Sequence, residues 1–152
     1  MGGELAVWFD GSSVATIDSE RCRCRLIYTD EARQQYAPGT PLLSLSLPVR
    51  AERFPQGAVR PFLDGLLPES ESRRIIARGV GVAADDTYGL IKALGRDCAG
   101  AIVVQPMEES LPPSTTQTAE PLSDKELAGL VHDLRSAPLG AGGRVRISLA
   151  GV

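Results

Sequence analysis

Residues 5–17 read LAVWFDGSSVATI. Leu5 to Phe9 is a short apolar run of strand length, and Asp10-Gly11 is a strong hairpin turn signal. Val14-Ala15-Thr16-Ile17 then returns as a second strand. The next strand begins in CRCRLIY, residues 22–28, where Cys22, Cys24, Leu26 and Tyr28 alternate with Arg23, Arg25 and Ile27. That period of two is the mark of a half-buried strand with its arginines in water. Three strands joined this closely predict an antiparallel meander at the N-terminal end of an α+β unit.

Outward from the meander, TDEARQQYAPGTP is polar and rich in turn residues, which predicts a loop with one helical turn. LLSLSLP (residues 42–48) resumes a period of two and reads as a further strand. The pattern then changes. Val59, Phe62, Leu63, Leu66 and Leu67 recur at i, i+3, i+4, i+7 and i+8, the stripe of a helix ended by Pro68. A second helix is expected over Glu69 to Arg78, with acids first and bases last, stopped by Gly79 and Gly81. Asp85-Asp86-Thr87 caps a third, which Gly95 ends, and GAIVV is a short strand. The order of segments predicts one unit over residues 5–104, with Leu26, Leu45, Phe62, Leu66 and Ile91 sharing its core.

From Pro106 to Asp124 the composition shifts. The stretch holds four prolines and four acids with no Lys or Arg, so it is expected to be an exposed linker poor in regular hydrogen bonds. Ser123 and Glu126 form a capping box, and Leu127, Leu130, Val131 and Leu134 give one more helix its stripe. His132 is off that stripe and is expected at the surface. GAGG follows as a joint, and RVRISLA closes as a strand entering Ala150-Gly151.

The composition excludes several classes. The 152 residues carry a formal net charge of -3, without the basic footprint of a general nucleic-acid surface. No apolar run reaches the roughly 18 residues of a membrane span, and MGGELAVWF has no basic signal region. Three cysteines point to reduced thiols and a cytoplasmic setting, with Cys22 and Cys24 as small core hydrophobes. No metal site is expected, because the ligand-type residues lack a recognisable spacing. There is no ordered Ser/His/Asp set, no G-x-G-x-x-G and no complete Walker loop. Asp85-Asp86 is better read as capping than as an acid/base pair. In GRDCAG (residues 95–100) the glycines bracket a helix-to-strand turn, with Arg96 and Asp97 expected to pair locally.

Taken in order, LAVWFDGSSVATI, PLLSLSLPV, VRPFLDGLLPESESRR, DDTYGLIKALGRDCAGAIVV and RVRISLAGV resemble the N-terminal part of HipA-type toxin kinases. The markers are LLSLSLP, Phe62 to Pro68 as F-x-D-x-LLP, and Gly95 to Ala101 as GRDCAGA. The resemblance implies an N-terminal subdomain over 1–105, a linker over 106–122, and over 123–152 a helix, the first strand of a kinase-like core and the start of its nucleotide loop. Ser148 matches the serine that these kinases autophosphorylate, and Ala150, Gly151 and Val152 match the beginning of the ATP loop. The family's catalytic and metal-binding residues have no counterpart in the sequence. The resemblance therefore implies a serine/threonine protein kinase that uses ATP and Mg2+ in its full-length form. It acts on a protein target such as an aminoacyl-tRNA synthetase and is neutralised by a HipB-like helix-turn-helix antitoxin. This chain alone is expected to be inactive and to bind no cofactor, nucleic acid or membrane directly. The alternative it leaves open is a stand-alone module that restrains a separate, shorter kinase.

Overall fold

The computed structural model of the chain describes residues 3–20, 23–97, 101–109 and 123–133. It is an α+β fold whose four-stranded antiparallel sheet runs in the order β3-β2-β1-β4. The strands are β1 (Glu4–Phe9), β2 (Ser12–Glu20), β3 (Arg23–Tyr28) and β4 (Ile102–Pro106). The first hairpin turns where the sequence places it. Asp10 and Gly11 both have positive φ, 48° and 77°, the pair of left-handed residues a two-residue hairpin loop needs. Val7 pairs with Ala15 but Trp8 pairs with Ser13, so Val14 is the extra residue of a bulge. Val14 and Ala15 are consequently both buried although adjacent.

Between β3 and β4 the chain forms α1 (Asp30–Gln35), α2 (Gln56–Gly65), α3 (Ser70–Val80) and α4 (Thr87–Leu94), then a single 3-10 turn over Gly95–Asp97. Each boundary has a local cause. Thr29 caps α1 by accepting from the Ala32 amide, and the Asp86 carboxylate accepts from the Gly89 amide at 2.9 Å. Gly81, at φ 72°, closes α3 in the left-handed conformation, so Gly79 lies inside the helix rather than ending it. The stripe of α2 is found as expected, but the helix itself ends at Gly65, three residues before Pro68. The polar stretch after β3 folds into the six residues of α1.

One core joins the inner face of the sheet to these helices. Leu5, Val7, Ile17 and Leu26 meet Val59, Leu63, Leu90 and Ile91, all fully buried. Phe62 and Leu66 pack half-buried against them. Cys24 is buried in the same cluster as a small hydrophobe, and burial pushes its thiol pKa up. Cys22 and Cys98 lie outside the described residues.

LLSLSLP departs from the expected strand. It is a compact turn in which the Leu47 amide donates to the Ser44 carbonyl at 3.0 Å, and the Ser44 and Ser46 hydroxyls share a hydrogen bond. Serine hydroxyls so close to the backbone compete with ladder pairing, which a period of two cannot reveal. Leu47 and Val49 are buried in the core, whereas Leu45 is 88% exposed. Leu45 is thus not a core residue. The loop returns to the sheet at Phe54, which exchanges both backbone hydrogen bonds with Leu26 on the outer edge of β3. Arg50 stacks 3.7 Å over the Phe54 ring, and Tyr28 meets that ring edge-on.

On the far edge, Gly95 packs directly against the Val104 carbonyl of β4. Arg96 pairs with Glu109 rather than with its neighbour Asp97, because the turn aims it past the end of β4. Pro106 is the last residue of that strand, and the Met107 amide donates to the Glu4 carbonyl at 3.0 Å. Regular structure therefore extends into the stretch read as linker. Residues 110–122 lie outside the described part. The last described element is α5 (Asp124–Asp133), whose capping box forms as read: Ser123 Oγ donates to Glu126 at 2.6 Å and accepts from its amide at 3.4 Å. His132 is exposed. Among the described residues no helix is long and apolar enough to cross a membrane.

Candidate functional site

The helical face of the unit is locked by a polar cluster around Asp64. α2 carries Asp64 next to the buried Leu63, so its carboxylate sits at the rim of the core. Thr87, the first residue of α4 and itself buried, donates its hydroxyl to Asp64 Oδ1 at 2.7 Å. Arg73 of α3 donates from Nη2 to the same oxygen at 2.9 Å and to the Thr87 hydroxyl at 3.1 Å, and from Nε to the Ala84 carbonyl at 2.7 Å. Arg60, one helical turn before Asp64, lies 3.6 Å from Oδ2 and reaches the Asp85 carbonyl. Four segments are thereby tied together: α2, α3, the loop before α4, and the first residue of α4.

The electrostatics follow from these contacts. Partial burial opposes ionisation of Asp64. The hydrogen bonds from Thr87 and Arg73, with the charges of Arg73 and Arg60, outweigh it and hold the carboxyl below the usual carboxylate range. Arg73 is only 18% exposed, so its charge depends on that carboxylate and on the Ala84 carbonyl.

Beside the cluster opens a pocket of about 380 Å³, lined by Ser19 and Cys24 of the sheet, Gln56 and Arg60 of α2, and Asp85 to Tyr88. Its chemistry is mixed: a guanidinium and two carboxylates face one space, while Asp86 already spends an oxygen on the Gly89 amide. Asp86 thus acts as the helix cap read from the sequence. Among the described residues, no three His, Cys, Asp or Glu side chains gather in a way that suits a metal ion. Ser148, Ala150, Gly151 and Val152 all lie outside the described residues. The role of Asp64 was missed by sequence reasoning, although it lies in the F-x-D-x-LLP marker. The available signal was an acid embedded in an apolar stripe, followed nine residues later by Arg73 on a helix with a buried face.

The comparisons with known proteins agree with this architecture. Residues 5–105 match the family model described as HipA N-terminal domain. A relative from Sinorhizobium fredii named "Putative kinase Y4mE" is 35% identical over 151 residues, covering 97% of this chain and 36% of its own length. The serine/threonine-protein kinase toxin HipA of Shewanella oneidensis is 29% identical over 126 residues, covering 82% of this chain and 27% of that protein. Among solved structures, a complex of Shewanella oneidensis HipA, HipB and operator DNA matches with a TM-score of 0.63 at 24% identity. That match covers 97% of this chain and 34% of the solved one, and it shows a shared fold. The chain spans about a third of the length of the relatives it matches. By the family model that runs from β1 to the end of β4, the chain belongs to the HipA N-terminal domain family.

Proposed function

We propose that the chain is the N-terminal structural and regulatory part of a HipA-like serine/threonine toxin kinase. The observation that carries this is the 35% identity sustained over 97% of the chain while only 36% of the relative is spanned. In this reading residues 1–105 form the N-terminal subdomain, 106–122 the linker, and 123–152 the entry to the kinase core. Phosphoryl transfer needs a metal clamp and a positioned carboxylate, and both come from that core. The chain by itself does not transfer phosphate. ATP and Mg2+ belong to the full-length enzyme, which works in the cytoplasm on a protein substrate such as an aminoacyl-tRNA synthetase. The partner is a HipB-like antitoxin, supported by the HipA neighbour having been solved with HipB.

Ser148 is the autophosphorylated serine in this proposal, and Ala150, Gly151 and Val152 open the ATP loop. A phosphate on Ser148 brings about -1.5 to -2 charges near neutral pH. Next to Ala150-Gly151 it competes with ATP phosphates for the same amides and for Arg144 or Arg146, and switches the kinase off. Two measurements test the scheme. The purified chain incubated with ATP and Mg2+ incorporates no phosphate; robust autophosphorylation defeats the division of labour. The full-length protein binds ATP more weakly when Ser148 is phosphorylated; equal affinities defeat the switch. The second reading, a separate module that restrains a shorter kinase, draws on the single core closed between Leu5 and Val104. Reading the coding sequence downstream of residue 152 separates the two.

A further inference from the structure

Beyond Pro106 the chain does not run on along the line of β4. The Met107 amide donates to the Glu4 carbonyl, next to the Leu5–Pro106 pair, and so continues the β1–β4 ladder by one step. A turn over Met107 and Glu108 then reverses the chain, closed by the Glu109 amide donating to the Pro106 carbonyl at 3.0 Å. Two side chains hold the returning residue. Gln105, fully buried, donates from Nε2 to the Glu109 carbonyl at 3.1 Å. The Glu109 carboxylate pairs with the Arg96 guanidinium. Arg96 is aimed there by its neighbour, because Gly95 lies directly on the Val104 carbonyl and fixes the 3-10 turn against β4.

The two holds differ in kind. The Gln105 amide is buried, so drawing Glu109 away takes an acceptor from a group that water does not reach. The ion pair is outside: the Arg96 side chain is 57% exposed and that of Glu109 41%. Salt screens a pair so placed, and its contribution is small. It is therefore the part of the arrangement that the surroundings can weaken.

We propose that Arg96, Gln105 and Glu109 form a releasable clasp that sets where the tether between the sheet and α5 begins. Closed, residues 106–109 belong to the rigid unit and the tether starts after Glu109. Open, those residues join the tether and add about 13 Å to its reach, at roughly 3.3 Å per residue. Tether length sets the effective concentration at which the flanking parts meet, so the clasp governs that encounter. From the preceding reading the proposal takes only that the segment after Glu109 is a tether.

Amide exchange on the full chain tests it. In Arg96→Gln, exchange at the Met107 and Glu109 amides is expected to rise about two- to five-fold, as for loss of an exposed ion pair, while the amides of β2 keep their protection. Salt at about 0.5 M has the same effect on the parent and none on Arg96→Gln. Exchanging the pair, Arg96→Glu with Glu109→Arg, restores protection. A glutamate-specific protease gives a second readout, since cleavage follows the open population. In Arg96→Gln the cut after Glu108 or Glu109 is faster, and the cut after Glu120 is unchanged. Unaltered exchange and cleavage at 107–109 in Arg96→Gln, an equal rise throughout β2, or an exchanged pair that restores nothing overturns the clasp. Strong protection over residues 110–122 defeats the tether reading, and the proposal with it.

Discussion

Replacing Asp64 by Ala tests whether the polar cluster holds the helices together. The substitution leaves Arg73, 18% exposed, without its counter-charge and leaves the buried Thr87 hydroxyl without its acceptor. Hydrogen bonds to charged groups contribute about 1.5–3 kcal/mol each. Two such bonds converge on Asp64 Oδ1, but the Asp64 side chain is 36% exposed, so water replaces part of what is lost. A net destabilisation of about 2–3 kcal/mol is expected. With a urea slope of about 1.5 kcal/mol/M, as for small domains, the unfolding midpoint falls by roughly 1.5–2 M. Thr87→Val removes one arm only and costs about 1–2 kcal/mol. Because the two residues share Arg73, the double variant costs less than the sum, with a coupling of about 1 kcal/mol. The control is Glu71→Ala, which breaks the exposed Arg74–Glu71 pair and stays within about 0.5 kcal/mol of the parent. Asp64→Ala behaving like Glu71→Ala, or strict additivity with Thr87→Val, would refute the clamp. The acid limb gives a second readout. The Asp64 pKa is lower in the fold than the ordinary 3.8, so its contribution is present above that value and lost as pH falls through the folded one. Asp64→Asn should flatten that limb.

Three further outcomes follow from single positions. Burial pushes the Tyr28 phenol up to about 12 from 10.0, so the fold favours the neutral phenol. The associated stability, about 3 kcal/mol, is intact below pH 10 and disappears as pH rises through 12, and Tyr28→Phe should remove that alkaline dependence in pH-resolved denaturation. A Cβ at Gly95 would stand 2.4 Å from the Val104 carbonyl oxygen, so Gly95→Ala must push the turn off β4 and is expected to cost about 1–3 kcal/mol in urea titration. Ser70 opens α3 at φ 50°, a left-handed conformation that costs a non-glycine residue about 1 kcal/mol; Ser70→Gly should raise the melting temperature by about 4–8 °C.

Local rules carried much of the fold. The Asp10-Gly11 turn, the Asp86 cap, the Gly95 stop and the Ser123/Glu126 box each depend on a few neighbouring residues, and each is found where the residue types place it. The alternation of β3 likewise describes its burial, because one face meets the core along its whole length. LLSLSLP fails for the converse reason. Its alternation comes from serines that bond to one another and to their own turn, and Leu45 points outward where periodicity puts it inside. The Asp64 cluster was out of reach for a different cause. Asp64, Arg73 and Thr87 lie 9 and 14 residues apart on three helices, so only the packing of those helices brings them together. Arg96 taught the same lesson at short range: its partner Glu109 lies across β4, not beside it in sequence.

The margins of the sheet have one more consequence. An open strand edge offers a row of unused amides and carbonyls on which another chain can template, by domain exchange or by fibril growth. Here the β3 side is occupied by Phe54, while on the β4 side Gly95 sits on the Val104 carbonyl and Pro106 has no amide proton to offer. Among the described residues each edge thus carries an obstacle to ladder growth, at Leu26 on one side and at Val104 and Pro106 on the other. Association with this domain is steered to side chains on its faces and loops, where recognition depends on shape and charge and not on backbone pairing that any extended peptide can supply.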